Sequence, residues 1–456
     1  MLHGLNMVSK LAPYEPAATG FGADDAAFLA RNGFNVVRLG VIYAGVEPSP
    51  GQYDDAYLAN VAATVRQLAK RGIYTLLDFH QDQYNERFHG EGFPAWAVQD
   101  DGLPNQPDLG FPGNYLAMAA VQHAFDHFWA DSPGPGGVGL QERYSAAWAH
   151  VASRFASNTH VLGYDLFNEP WPGTNYLPCA TPAGCPAFDA QLGSFESKAI
   201  GAIRGTDKRH LVWYEPDVLF NGGSTTTKLP KFRDRRLGMS FHDYCLGGPQ
   251  QTCEQGEKGA LTNAVARSQS TGDGLLLTEF GATSDASVTT RIANDADAAM
   301  MPWVEWAYCG CGDPTTSANP PSSQALVVDP KQPPRGANVM SGDLRALDRP
   351  YPQVVAGTPQ SFAFDPSSAA FSLTYSTARA GGHGRFKPGA CTRVFVPSLQ
   401  YPHGYSAHVS GARVISKRGA GLLELAAKRG ARRVRVSVMP AKKGHTRAPR
   451  VTKSCR

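Results

Sequence analysis

The sequence predicts a (β/α)8 barrel over residues 1–356 followed by an antiparallel β-sandwich over residues 357–456. Three observations carry that expectation. Eight short apolar runs alternate with amphipathic helical stretches over roughly 300 residues, the size of such a barrel. Beyond about residue 357 the texture changes to short alternating strands separated by turn residues. No Gly-rich phosphate loop follows the first run, which argues against a doubly wound nucleotide-binding sheet.

The strand candidates are HGLNMV (3–8), FNVVRLG (34–40), IYTLLDFH (73–80), VLGYDLFN (161–168), HLVWYEP (210–216), LGMSFHDY (237–244), GLLLTEF (274–280) and MPWVEWAY (301–308). They are short and nearly continuous in apolar character, as strands covered on both faces must be. Helical periodicity fills 24–33, 55–72 and 145–158, and the last two stretches end in Gly72 and Asn158, which suit a helix C-terminus. Long Gly-, Pro- and aromatic-rich inserts are expected after strands three (about 81–138), four (170–188) and six (245–257). In the second domain SFAFD, FSLTYS, TRVFVP, ARVIS and RRVRVSVMP read as strands, and GLLELAAK as the one helical candidate.

A hydrophobic content of 42% and a charged content of 18% describe a globular chain rather than a disordered one. No run is long and apolar enough to span a bilayer. HGLNMVSK follows Met1 almost at once and already reads as core, so no leader is recognised. The eight cysteines place six in close pairs: Cys179 with Cys185, Cys245 with Cys253, and Cys309 with Cys311. Cys391 and Cys455 remain to join the C-terminal tail to a strand. Loop-stapling disulfides imply an oxidising compartment, hence a secreted protein whose leader has been trimmed. A metal site at Cys-Gly-Cys is the rival reading, but the C-x-x-C spacing of structural zinc is missing.

Charge is uneven. From Gly411 onward fourteen Lys and Arg face a single acid, Glu424, giving a net of +13 after a net of −9. Such a basic end suits an anionic surface, such as a membrane or micelle, or simply a solvated face. No nucleic-acid motif accompanies it, so nucleic acid is not an expected partner.

In a barrel, polar residues at the C-terminal strand ends form the site. Those ends carry Asn6, Arg38, Asp78, His80, Asp82, Asn168, Glu169, His242, Tyr244, Glu279 and Trp306. Glu169 and Glu279 close strands four and seven, on opposite sides of the ring. Two carboxyl groups converging on one sugar are what glycoside hydrolysis needs: one protonates the departing oxygen and the other attacks the anomeric carbon.

NEP at the fourth strand and TEFG at the seventh, with Arg38, His80, His242, Tyr244 and Trp306 between, resemble glycoside hydrolase family 5. HGLNMVSK, LLDFHQDQY, GEGFPAWAVQDDGLP, YDLFNEPWPG, LLTEFG and RPYPQVVAGTP, in that order, are similar to the endoglycoceramidases, secreted enzymes that cut an intact glycan from ceramide. The resemblance covers both domains. It implies a retaining mechanism with Glu169 as acid/base and Glu279 as nucleophile, and needs no cofactor or metal. It places Asn168 on the 2-hydroxyl of the reacting sugar, His242 and Tyr244 beside the catalytic pair, and Trp306 as a stacking floor. Arg38 is expected to hold Glu279 ionised, while Glu169 must shift upward to arrive protonated. Lys10, His80 and Asp82 would bind sugar hydroxyls. VEWAYCGCGDP and NEPWPG depart from the family pattern, leaving the first sugar open between glucose and galactose.

Phe88, Phe93, Trp96, Trp171, Tyr176, Leu177 and Phe220 lie on the rim loops. They either form an apolar channel for ceramide chains or pack the loops onto the barrel. The competing functions are a cellulase-like endo-β-glucanase or mannanase on the same barrel, and a catalytically silent carbohydrate- or lipid-binding protein. A monomer is expected.

Overall fold

Alternating side chains decide how the apolar runs are used. In the computed structural model, which describes residues 1–245, 249–318 and 320–441, all eight runs become parallel strands of one closed barrel: β1 (His3–Met7), β2 (Val36–Ile42), β3 (Tyr74–His80), β4 (Val161–Asp165), β5 (Leu211–Tyr214), β6 (Leu237–Asp243), β7 (Gly274–Phe280) and β8 (Trp303–Glu305). Residues of one parity face inward. Val36, Leu76, Trp213, Leu276 and Val304 pack together as one apolar layer. Two residues further along the same strands come Arg38, Asp78, Glu215, Thr278 and Trp306. The barrel is therefore plugged by hydrocarbon at one end and charged at the other, where barrel sites are built.

Two glycines make room for that plug. A Cβ at Gly238 would fall 2.2 Å from the Trp213 indole, and one at Gly163 would fall 2.2 Å from the Leu211 carbonyl oxygen. Residues of the other parity, such as Val37, Leu39, Leu77 and Tyr164, join the main core beneath the helices.

Helices Ala23–Arg31, Asp55–Ala69 and Leu140–Phe155 cover the expected stretches. The Asp54 carboxylate caps the second by accepting from the Ala56 and Tyr57 amides. The insert after β3 contains the helix Ala119–Trp129, and the segment expected as a loop after β6 is largely the start of the helix Gln250–Thr271. That helix has almost no apolar stripe at its N-terminal end, so periodicity does not reveal it. Between β5 and β6 only a 3₁₀ turn, Val218–Gly222, stands where a barrel helix would be.

The second domain consists of two four-stranded antiparallel sheets. One holds β10 (Thr358–Asp365), β11 (Ala370–Ser376), β13 (Tyr405–Ser410) and β16 (Arg433–Pro440). The other holds β9 (Tyr351–Val354), β12 (Cys391–Phe395), β14 (Ala412–Val414) and β15 (Leu422–Ala427). Two expectations change. GLLELAAK is strand β15, not a helix, because its alternate residues Leu423 and Leu425 bury against the sandwich core. Strand β9 already pairs with β12, ahead of the boundary expected at 356/357. The domains meet at His3, whose ring stacks between Trp303 (4.0 Å) and Tyr351 (3.7 Å).

Disulfides join Cys179 to Cys185, Cys245 to Cys253 and Cys309 to Cys311, as expected. The proposed Cys391–Cys455 bridge, like the basic residues after 441, falls outside the described residues.

Candidate active site

Arg38 is the hub of the charged end. It is fully buried and its guanidinium spends every face: Nε on Asp165 (2.8 Å), Nη1 on Glu279 Oε1 (2.5 Å) and on Asn6 Oδ1 (3.3 Å), Nη2 on Asn168 Oδ1 (2.9 Å) and Asp78 Oδ1 (3.1 Å). A planar fork with five donors can orient this many acceptors; a lysine could not.

Glu279 leaves the end of β7 between that fork and the Tyr244 hydroxyl, which donates to its Oε2 at 3.0 Å. Burial pushes the Glu279 carboxyl upward, while His242 and Arg38 pull the other way. The shift expected from Arg38 alone is thus reversed by burial. His242 stays neutral, because burial lowers its pKa to about 3. The cations that favour ionised Glu279 are therefore Arg38, which bonds to it, and His80.

Glu169 follows β4 in the Asn168-Glu169-Pro170 turn. Its φ of +46° is left-handed, uncommon and costly for a residue with a side chain. Gln81 holds the turn by donating to the carbonyls of Asn168 (2.8 Å) and Glu169 (3.3 Å). The turn aims the carboxyl back over the barrel, where Glu169 Oε1 accepts from Asn221 Nδ2 (3.2 Å) and lies 2.7 Å from His242 Nδ1. Burial, reinforced by Asp82, raises the Glu169 pKa to about 7 against the pull of His80, Lys10 and Arg38. One carboxylate oxygen of Glu169 and one of Glu279 lie within 4.8 Å of each other. An approach this close suits the retaining arrangement, about 5–5.5 Å between carboxyl groups.

A second network adjoins the first through Asp78, whose Oδ1 is ion-paired with Arg38 and whose Oδ2 lies 2.7 Å from His80 Nδ1. Burial works against a charged His80, yet Asp78 and Asp82 lift its pKa to about 10. The Lys10 ammonium lies 2.5 Å from Asp82, 3.2 Å from Asp313 and 2.6 Å from the Thr315 hydroxyl. Trp306 stacks on His80 (5.2 Å between centroids) with the Lys10 ammonium 4.6 Å from its ring. Only 7% of Trp306 is exposed, so it is a wall of this network with a small free surface.

Two trios bring ligand-type atoms within 4.8 Å of one another, His80–Asp82–Glu91 and Glu169–His242–Glu279. In the first, the Lys10 ammonium takes the place of a cation. The second is the carboxylate pair and its bridging imidazole.

All ten residues expected from the sequence thus belong to two contiguous networks. Asp165, Asn221, Gln81, Glu91, Asp313, Thr315 and Glu215 were missed. Glu215 had a signal, since Glu-Pro closes the fifth run as it does the fourth. Asn221, Asp313 and Thr315 come from loops with no periodic cue. Among the rim aromatics, Phe88, Phe93, Trp171 and Phe220 are buried, so they pack the loops onto the barrel rather than line a channel. Leu177 is 67% exposed, and Leu109 and Leu116 stand out similarly.

Comparison with known proteins agrees with this geometry. Residues 17–312 match the model for Cellulase (glycosyl hydrolase family 5), and residues 349–438 match the Glycoside hydrolase family 5 C-terminal domain. The chain is 32% identical to Endoglycoceramidase I of Rhodococcus hoagii, over 94% of this chain and 82% of that protein. It also superposes on Endo-glycoceramidase II from Rhodococcus sp., each chain 97% covered. The lactosyl-enzyme intermediate of that protein gives a TM-score of 0.78 at 29% identity, and its ganglioside GM3 complex gives 0.77 at 27%.

Proposed function

The chain belongs to glycoside hydrolase family 5, and on that premise we propose that it is a retaining endo-β-glycosidase that releases the intact glycan of a glycosphingolipid from ceramide. One observation carries the reading: two carboxyl groups, one buried and one largely buried, whose oxygens come within 4.8 Å, the first bonded to a permanent cation and the second raised to about 7.

The difference in surroundings assigns the roles. Arg38 favours the anion on Glu279, so the shared proton resides on Glu169. Glu279 attacks the anomeric carbon while Glu169 gives its proton to the departing ceramide oxygen. The C–O bond breaks, ceramide leaves as an alcohol, and a glycosyl ester forms on Glu279. Glu169, now an anion, takes a proton from water, whose oxygen attacks the same carbon and restores free Glu279. Asn168, fixed by Arg38 and by the Gln81 carbonyl (3.1 Å), faces the 2-hydroxyl. Lys10, His80 and Asp82 bind sugar hydroxyls, Trp306 is the stacking floor under the sugar, and Tyr244 orients Glu279. The R. hoagii relative's name and the lactosyl-enzyme and GM3 complexes of the Rhodococcus structure support glycosphingolipid as substrate.

The reading extends to a secreted monomer that touches its lipid surface peripherally. Three disulfides support an oxidising compartment. No helix among the described residues is long and apolar enough to cross a membrane. From residue 357 on, eighteen Lys and Arg face only Asp365 and Glu424, which favours anionic lipid.

Digestion of mixed glycosphingolipids followed by mass spectrometry tests the proposal. Free ceramide together with intact glycans is the expected result; recovery of monosaccharides alone, or no ceramide, would overturn it.

A further inference from the structure

His242 has two ring nitrogens, and the reaction uses only one. Nδ1 lies 2.7 Å from Glu169 Oε1 and 3.5 Å from Glu279 Oε2. Nε2 points the other way, 3.5 Å from Glu215 Oε1. Glu215 follows β5, is wholly buried, and neither its carboxyl oxygens nor His242 Nε2 has a hydrogen-bond partner among the described residues. Two unsatisfied polar groups facing each other in a sealed interior satisfy each other or cost free energy.

Their chemistry settles which one donates. Glu169 Oε1 accepts from Asn221, and with the acidic proton of Glu169 on Oε2 the tautomer of His242 that fits is the one with its hydrogen on Nδ1. A neutral imidazole then leaves Nε2 as a bare acceptor, and the group opposite must be a donor. A carboxylate cannot donate; a carboxylic acid can. The groups around Glu215 favour the acid form: Asp165 on β4, Glu169 and Glu279 oppose its charge against the pull of Arg38, and the Glu196 carboxyl group accepts from the Glu215 amide. Burial and those acids hold Glu215 well above the usual carboxylate range.

Resting on the glycosidase reading above, we propose that Glu215 is a positioning residue: as a buried carboxylic acid it donates to His242 Nε2, fixes the Nδ1–H tautomer, and so keeps the acidic proton of Glu169 on Oε2, facing the glycosidic oxygen. With Oε1 occupied by two donors, only Oε2 is free to hold that proton. When Glu169 becomes an anion, the same Nδ1–H stabilises it for the deglycosylation step. Glu215 touches no substrate and acts only through the imidazole.

The test compares Glu215→Leu with Glu215→Gln, whose amide keeps a neutral donor at that place. On a glycolipid, whose poor alcohol leaving group needs Glu169, E215L lowers kcat about tenfold, with KM little changed. On a dinitrophenyl glycoside of the same sugar, which departs without protonation, formation of the glycosyl-enzyme is spared. E215Q recovers most of the lost glycolipid turnover. Equal losses on both substrates, or E215Q no better than E215L, would overturn the assignment. Should E215L fail to fold, the pH profile of E215Q decides alone. If Glu215 is a neutral donor the alkaline limb stays where it is, and if it is an anion the limb moves to lower pH when that charge is removed. Absence of wild-type turnover on both substrates would instead refute the glycosidase reading itself.

Discussion

Glu169 and Glu279 are joined by a single imidazole: His242 Nδ1 stands 2.7 Å from one carboxylate and 3.5 Å from the other. The ring is neutral and wholly buried, so it spaces the two acids without cancelling either charge. The two differ in their other partners: Arg38 and the Tyr244 hydroxyl bond to Glu279, whereas Asn221, an uncharged donor, bonds to Glu169.

Replacing the proposed nucleophile tests the pairing directly. Glu279→Gln keeps the size and an acceptor for Arg38 but cannot form an ester. Turnover should fall at least about a thousandfold with the fold intact. Intact-protein mass spectrometry with a slow fluorosugar substrate should show a trapped sugar on wild type and none on the variant.

The alkaline limb of kcat/KM should report Glu169. Its proton is lost above about pH 7, so activity should decline about tenfold per pH unit beyond that point. The Asn221 donor favours the ionised carboxyl. Asn221→Ala should therefore raise the pKa and carry the limb upward by about half a unit. A limb that moved down would contradict the hydrogen bond seen here.

Lys10 neutralises three buried acids at once. Lys10→Met removes the ammonium shared by Asp82, Asp313 and Glu91 and leaves only His80 beside Asp82 and Glu91, at a cost of about 3–5 kcal/mol. A lowered denaturant midpoint and a raised KM for glycan substrates are expected together, because Asp82 and His80 lose their orientation. Asp313→Asn, which removes one of three charges, should be milder on both measures.

The domain junction should weaken in acid. Burial lowers the His3 pKa to about 4, although Asp297, 3.1 Å away, works against the shift. An unfolded histidine takes its proton near pH 6.5, and folded His3 only near 4. Stability linked to His3 is therefore complete above 6.5 and is lost progressively as pH falls from 6.5 toward 4. Melting temperature followed across that range should fall, and His3→Asn should flatten the slope.

The rim loops show where pattern reading stops. Trp171 and Phe93 look alike in sequence to surface aromatics of a lipid channel, yet both are buried, Phe93 stacking on Tyr84 at 4.0 Å. Burial in a loop has no periodicity to betray it. The helix Gln250–Thr271 was half missed for the same reason, its first turns being polar all round. Strand β15 was misread because Leu, Glu and Ala favour helices locally, and the sandwich core overrode that preference.

The sequence by itself determined the eight-strand ring and the two carboxylates at its rim. Period-two alternation along continuous apolar runs fixes which residues point inward, and Asn-Glu-Pro and Thr-Glu-Phe-Gly end two of those runs. Only the tertiary structure decided who touches whom: Arg38 with five partners from four other strands and one loop, Lys10 with Asp313, Glu215 with His242. Those partners are far apart along the chain and meet because the ring closes and the loops fold back over it. Such meetings depend on ångström-level positions of side chains, which no local pattern of residue types encodes.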